Sequence, residues 1–457
     1  MVWCGSAQCE LPQQALLPVQ VSGSVLQALH GARPSELVVI AVNTSEQQPF
    51  VIPAQFSQLT ADGIAYTKAL SSLEPAGDPE LLDQHDLLSF MFEDAGDTPC
   101  ADKINWHSPV VQLLIKPAAI KQDVHQQVEL KPEYVCVAYK PISESITTKL
   151  QQNYNQKLQQ SDGPKGDYVH FDQIAGRATS SKYQLSMSAD NPLIWHDFFY
   201  DGVNLKQGQV FGPSLLDSLK INIDAGLFLH KTRIQLNNDH LKSEIMAVEQ
   251  GPIYDTIFAE TRVMLAGASV LRMQVVVSFY PSHVEMTTRF KVPTIAKPIV
   301  KSPKVDVSLD ANNIWGGLVL ASWGNATPLV VDGVIDAVEQ SLREQEVITQ
   351  DAWVWYSSQR GFDLVTFLEF DDAFNVPIAL VYDDDKTAQI KPERFAGQGP
   401  NVGYSIRGMI IGDYFTFKTR LLFRPTIESE QVFKVVPALQ RPWRVHVVPA
   451  MVKEKPS

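Results

Sequence analysis

Three runs in the middle of the chain, Ile253 to Leu265, Val270 to Tyr280 and His283 to Val292, are rich in β-branched and aromatic residues. Only Ala266-Gly267-Ala268-Ser269 and Pro281-Ser282 separate them. Connections that short join antiparallel neighbours, because a parallel crossover needs a dozen residues or more. The chain therefore contains an antiparallel meander. Successive strand side chains alternate faces, so Val284, Met286, Thr288 and Phe290 oppose His283, Glu285, Thr287 and Arg289. One apolar and one polar, solvated face are expected.

The same rhythm recurs on both sides. Leu37 to Val42, Phe50 to Phe56, Leu87 to Phe92, Val110 to Ile115 and Tyr134 to Tyr139 read as the strands of a small, immunoglobulin-like β-sandwich over residues 10–140. Further runs at Gly317 to Trp323, Trp353 to Tyr356, Leu364 to Phe370, Ile378 to Tyr382, Ile406 to Ile411, Tyr414 to Phe423 and Val445 to Val448 carry a second, large antiparallel β-sandwich over 165–450. Between them, Ile142, Ile146, Leu150, Tyr154 and Leu158 repeat every four residues, so 141–164 is expected to be a helical or partly ordered linker ended by Ser161-Asp162-Gly163-Pro164. One short helix is expected after Asp332, with Val334, Ile335, Val338 and Leu342 as its apolar stripe. With 457 residues, the chain exceeds the roughly 250 to 300 at which one core stops growing, which also argues for two domains. The fold class is mainly β.

Composition narrows the partners. Lys plus Arg number 38 against 51 Asp plus Glu, a formal charge of -13, and no basic stripe is present that would track phosphates, so nucleic acid is excluded as a partner. No apolar run approaches the roughly 18 to 20 residues of a membrane-spanning helix, so no transmembrane segment is expected. Residues Met1 to Cys9 lack a charged n-region, yet Ala7 and Cys9 before Glu10-Leu11-Pro12 resemble the end of a signal peptide with a small-x-small cleavage site. A cytosolic chain with a frayed start, or a Cys4–Cys9 disulfide, is the alternative. Ser6-Ala7-Gln8 departs from the leucine-led pattern that precedes lipidated cysteines. Cleavage after Cys9 would leave Cys100 and Cys136, an even pair suited to a disulfide in the periplasm or outside the cell. No C-x-x-C occurs, which removes the common zinc and thioredoxin-type sites.

The segment Ala247-Val248-Glu249-Gln250-Gly251-Pro252-Ile253, with the meander behind it, resembles the lead-in to large β-sandwich domains of the galactose-mutarotase-like group. It covers about 45 of the 457 residues. The resemblance implies the fold, in a group that includes domains of carbohydrate-active enzymes; it aligns no catalytic pattern, and fold alone does not carry function.

Candidate site residues follow from chemistry. His196 and Asp197 lie in Ile194-Trp195-His196-Asp197-Phe198-Phe199-Tyr200-Asp201-Gly202, a concentration of titratable and aromatic groups of the kind a sugar pocket uses for proton transfer and stacking. Trp195 is the candidate platform there, with Tyr200 and Asp201 as further ligand-binding groups. His283 and Glu285, two apart on a strand, share a face and suit an acid and base pair across a bound ring. Asp383-Asp384-Asp385 at a strand end offers clustered oxygens to Ca²⁺, the one cofactor the sequence suggests, although three acidic residues at a hairpin tip are more often a solvated turn. Neither a P-loop nor a G-x-S-x-G elbow is present.

Three functions fit: an exported β-sandwich protein that binds a glycan or a protein partner; a carbohydrate-active enzyme, lyase, hydrolase or epimerase, using the His and carboxylate groups of the second domain; and an accessory protein of an exported redox complex, which rests on the inferred compartment alone. The pairing of His196 with His283 requires both to reach one cleft.

Overall fold

Alternation along the meander is realised strand by strand. In the computed structural model Asp255–Leu265, Ala268–Phe279 and His283–Lys291 pair antiparallel, with Phe258 opposite Val276 and Val277 opposite Met286. They belong to a nine-stranded sheet, flanked on one side by Leu241–Glu249 and on the other by Tyr414–Arg424, Asp363–Phe370, Ala352–Ser357, Leu318–Ala321 and Leu329–Val330. The structure describes residues 17–448 apart from 45–47, 104–108, 118–130, 141–147, 149–151, 153–167, 228–231, 299, 313, 325–326, 349, 351, 371–374, 396, 398 and 409. The expected signal remnant (residues 1–9) and nearly all of the expected linker (141–164) lie outside the described residues.

Val284, Met286 and Phe290 point into the main core, as their alternation requires, and full burial of each such side chain stabilises by about 1.5–3 kcal/mol. The layer facing them is built from a four-stranded sheet (Trp195–Tyr200, Tyr183–Met187, Arg177–Ser180, Val169–Asp172) and a five-stranded sheet (Thr232–Leu236, Leu216–Leu227, Val300–Ala311, Asn401–Ile406, Ile378–Asp383). The latter is called the floor sheet below. Tyr183, Trp195, Ile221, Val305, Val307 and Tyr404 from these two sheets share the core with the meander. This is a large antiparallel β-sandwich, and the chain is mainly β: among the described residues α-helix is confined to Ala337–Glu344, Val432–Gln440 and the single positions Thr148 and Gln152. No helix among them is long and apolar enough to cross a membrane.

Near the N-terminus a three-stranded sheet (Pro18–Ser22, Leu87–Met91, Gln55–Ser57) and a second five-stranded sheet share a core that includes Val19, Val39, Phe90, Leu113 and Val137. In that second sheet the last described strand, Trp443–Val448, pairs with Val110–Pro117 and places Trp443 opposite Pro117. Val445 to Val448 thus lies beside strands from the start of the chain, a pairing that sequence order hides. Cys100 and Cys136 are joined by a disulfide, buried with Val38, Ile40 and Val42.

Two local expectations are corrected. The strand read at Ile406 to Ile411 lies upstream, at Asn401–Ile406; there Val402, Tyr404 and Ile406 enter the core while Asn401 and Ser405 point the other way. The helix starts later than expected, because Asp336 rather than Asp332 caps it: Asp336 Oδ1 accepts from the N–H of Val338 and of Glu339, both at 2.8 Å, and Glu339 bonds back to the Asp336 N–H. Of the expected stripe Leu342 is buried, whereas Val334 and Val338 are exposed.

Candidate polar cleft on the floor sheet

Strands of the floor sheet alternate, and the positions that do not enter the core form a grid on its outer face. Ser218, Asp310, Asn401 and Asp383 stand side by side across four strands; so do Lys220, Ser308, Gly403 and Val381 in the next row, and Asn222, Asp306, Ser405 and Ala379 in the row after that. Asp224 and Lys304 begin a fourth row. All of these outward positions but Gly403, Val381 and Ala379 are polar. At Gly403 a Cβ would meet the Val307 carbonyl oxygen at 2.1 Å, so only glycine lets these strands approach.

Part of this face, from Asp383 and Asn401 through Asp306 and Ser405 to Asp224 and Lys304, is the floor of a cleft of about 720 Å³, while Lys220, Ser308 and Asp310 lie outside its lining. Gln340, Arg343 and Glu344 of helix Ala337–Glu344 line one part, Asn237 and His240 another, and Gln389 to Lys391 a third. Asn401 Oδ1, Ser405 Oγ, Ser308 Oγ and one oxygen of Asp306 are buried with no hydrogen-bond partner among the described residues. Burying such groups unpaired costs about 1–3 kcal/mol each, so this many on one face marks a place where something else supplies the partners.

A charged cluster occupies one end of the grid. The Lys220 ammonium, fully buried, stands 2.5 Å from Asp310 Oδ2 and 3.0 Å from Glu393 Oε2. Asp217 brings a third carboxylate, all three offering oxygens within 4.8 Å of one another. The cation held among them is the Lys220 ammonium. Burial pushes the Asp310 carboxyl up to about 7, Lys220 pulling against this while Asp217 and Glu393 reinforce it. A carboxyl that titrates near neutrality suits proton transfer.

The residues singled out from sequence divide between this face and others. His196 and Asp197 both leave the core because a bulge sets Ser186 opposite Asp197 and Met187 opposite Trp195, with His196 the extra residue. Asp197 Oδ1 accepts from the Arg394 guanidinium at 3.2 Å, and Asp217 Oδ1 accepts from the Arg394 N–H at 2.9 Å, which ties this strand to the charged cluster. Partial burial and Arg394 lower the His196 pKa against the opposing pull of Asp197. Trp195 is not placed as an open platform: it is 2% exposed, and its Nε1 donates to the Pro192 carbonyl at 2.9 Å. Tyr200 is likewise in the core, 5.1 Å from Phe362 between ring centroids, and Asp201 sits in the turn that follows.

Asp383, Asp384 and Asp385 do not converge on one point. Asp383 faces Arg343 at 3.4 Å, Asp384 accepts from the N–H groups of Asp332 and Gly333, and Asp385 accepts from Thr387. Asp383 and Asp384 are buried rather than solvated, 8% and 0% exposed, and Asp383 lies at the cleft edge.

His283 and Glu285 lie on the outer face of the nine-stranded sheet, on the other side of the common core from His196, so the two histidines do not share a cleft. The expectation of a solvated face is corrected as well. His283 is 3% exposed, covered by the segment at Leu17 to Gln20 and the connection Leu439 to Trp443. Glu285 Oε1 accepts from Arg420 Nε at 2.8 Å and lies 3.8 Å from His283 Nε2. Burial, with Arg420 and Lys418 close by, brings the His283 pKa down to about 3 against the opposing effect of Glu285. Burial would raise the Glu285 carboxyl, but Lys418, Arg420 and His283 outweigh it and hold it at about 2.

Lys220, Asp310, Glu393, Asn401 and Ser405 were not singled out from sequence. The signal was present for Asp310 in Val305-Asp306-Val307-Ser308-Leu309-Asp310, a strict alternation of apolar and polar residues. Glu393 comes from a loop, and no local pattern marks it.

No protein-family model matches the chain, and no curated protein matches it by sequence. Among solved structures it is similar to an alpha-mannosidase from Enterococcus faecalis V583, with a TM-score of 0.47 and 9% identity over 95% of this chain and 44% of that one. It is also similar to the heparan sulfate lyase HepC from Pedobacter heparinus, with a TM-score of 0.30 and 12% identity over 63% and 40%, and to a candidate mutarotase (YeaD) from Salmonella typhimurium, with a TM-score of 0.31 and 6% identity over 55% and 90%. The chain spans less than half the length of the first two. These are weak resemblances of fold, and at such identity they carry no residue role across.

Proposed function

We propose that this chain is an exported β-sandwich protein that binds a glycan in the cleft over the floor sheet. The carrying observation is the row-by-row polarity of the cleft floor, where Asn401, Ser405 and Asp306 keep unmet hydrogen-bonding capacity beneath a cleft of about 720 Å³. A ligand dense in hydroxyl groups answers that capacity; a protein partner asks instead for an apolar centre with a polar rim. Export draws its support from the Cys100–Cys136 disulfide, a bond that persists in oxidising compartments. The accessory role in a redox complex gains nothing from the cleft.

A second reading, a carbohydrate-active enzyme working at this same face, is favoured by one observation: Asp310, with its carboxyl near 7, sits among Lys220, Glu393 and Asp217. That assembly is the candidate proton-transfer group, in place of a His196–His283 pair.

The test is a thermal-shift screen against neutral and acidic polysaccharide fragments, with and without Ca²⁺. A fragment at a hundred times its Kd stabilises the folded state by about 2.7 kcal/mol. The shift should vanish in Asn401→Ala combined with Ser405→Val and persist in His283→Gln. A shift that survives the double substitution removes the cleft from the proposal. Incubation of the same fragments with the protein, followed by product analysis, decides between binding and turnover.

A further inference from the structure

A second cavity, of about 480 Å³, lies on the opposite side of the molecule between the outer face of the nine-stranded sheet and the segments Leu17 to Gln20 and Leu439 to Trp443. We propose that it binds a saccharide carrying a carboxylate, independently of the floor-sheet cleft.

Three features of its wall point to that chemistry. Trp443 is held as a rigid platform: its Nε1 donates to the Leu17 carbonyl at 3.1 Å, and one ring face stacks on Phe92 with centroids 4.2 Å apart and planes 13° from parallel. A tryptophan fixed in this way at a cavity wall presents apolar ring surface to the C–H face of a sugar. Arg441, two residues earlier, is exposed and forms no ion pair with any described residue, so its planar fork is available to a carboxylate. Arg420 is fixed deeper in the wall, by Glu285 at 2.8 Å and by the Gln440 carbonyl at 3.1 Å.

The charge balance agrees. Glu285 and Glu369 are met by Arg420 and Lys418, the latter 3.1 Å from Glu369, and Arg441 is left without an ion pair. The lining is balanced, Glu285 and Glu369 against Arg420 and Arg441, with Lys418 just beyond it, on a chain whose formal charge is -13. One guanidinium without an ion pair suits one carboxylate better than a dianionic phosphate. Gln20 and Gln440 line the same space and offer amides to hydroxyl groups.

Calorimetric titration of the full chain with trigalacturonate and with its methyl ester tests this. The acid should bind about tenfold more tightly than the ester, the worth of a charge-assisted hydrogen bond. Arg441→Ala, a surface substitution, should bring the acid down to the ester's affinity and leave the ester unchanged. With the floor-sheet cleft removed by Asn401→Ala combined with Ser405→Val, the preference for the acid over the ester should remain and should still depend on Arg441, which separates this site from that cleft. Equal binding of acid and ester, no binding of either, or an Arg441→Ala variant with unchanged preference for the acid would each overturn the proposal.

Discussion

The Tyr280 ring lies flat against the imidazole of His283, with centroids 4.2 Å apart and planes 5° from parallel, and Tyr254 packs on Tyr280 at 4.5 Å, tilted by 35°. Burial, with Arg420 and Lys418 nearby, keeps that imidazole neutral down to about pH 3, whereas in the unfolded chain it takes a proton near 6.5. Between those values the folded state binds fewer protons than the unfolded one. The stability contributed by neutral His283 is therefore complete above about pH 6.5 and is lost as pH falls through this window, with a slope of up to about 1.4 kcal/mol per pH unit. His283→Gln should flatten the decline between pH 4 and 6, while at pH 7.5 it costs about 0.5–1.5 kcal/mol of lost ring contact. Urea unfolding at a series of pH values measures both. Glu285, depressed to about 2, titrates lower and should leave a residual decline below about pH 4 in the variant; parallel curves for variant and parent would show that His283 is not the group responsible.

The disulfide closes a loop with a sequence separation of 36 residues. On loop-closure entropy its removal should cost about 4 kcal/mol, less whatever structure the unfolded chain retains. Cys100→Ala/Cys136→Ala should unfold at lower denaturant than the parent, and reductant should bring the parent to the variant's midpoint. A parent indifferent to reductant under unfolding conditions would argue that the two thiols are not joined in the protein as purified.

Legibility followed the range of the interactions. The meander could be read because its pattern and its short turns are local: period two, no room for a crossover. Burial of His283 could not be read, since what covers it comes from Leu17 to Gln20 and from Leu439 to Trp443, more than 100 residues away on either side. Trp195 looked like a platform by composition, yet it lies in the core: alternation from Phe198 and Tyr200 would turn it outward and His196 inward, and the bulge opposite Ser186 and Met187 reverses both. The charged cluster assembles Asp217, Lys220, Asp310 and Glu393 from two strands and a loop, so each member by itself resembles an ordinary surface charge.

Gly251 belongs to the segment that resembles other large β-sandwiches, and its reason is steric. A Cβ there would meet the Gln55 amide at 2.2 Å, and Gln55 Oε1 is the acceptor for the N–H groups of Ile253 and Tyr254. Gly251→Ala should displace that amide and leave one or both N–H groups unpaired, a cost of about 1–3 kcal/mol. Gln55→Ala should cost a similar amount, and the two changes together little more than either alone, because they break one interaction. Chemical denaturation of the three variants measures the coupling; full additivity would mean that Gly251 matters for some other reason.

Lys220 is the group on which the charged end of the floor sheet depends, since its ammonium is the close counter-charge to Asp310 at 2.5 Å. Lys220→Met leaves buried carboxylates uncompensated, a loss of about 3–5 kcal/mol when they are ionised. The loss should depend on pH in a definite direction. Asp310 has a folded pKa raised to about 7, so the stability tied to its protonated form is present below the unfolded value near 3.8 and is lost as pH rises through the folded one. Without the ammonium that folded value moves higher still. The penalty of Lys220→Met should therefore be least near pH 5 and greatest near pH 8, and Lys220→Met/Asp310→Leu should recover much of it by removing the buried charge together with its partner. Thermal unfolding across that range is the measurement. A penalty constant from pH 5 to 8 would mean that Asp310 is already ionised throughout, and with that the proton-transfer reading of this cluster would lose its support.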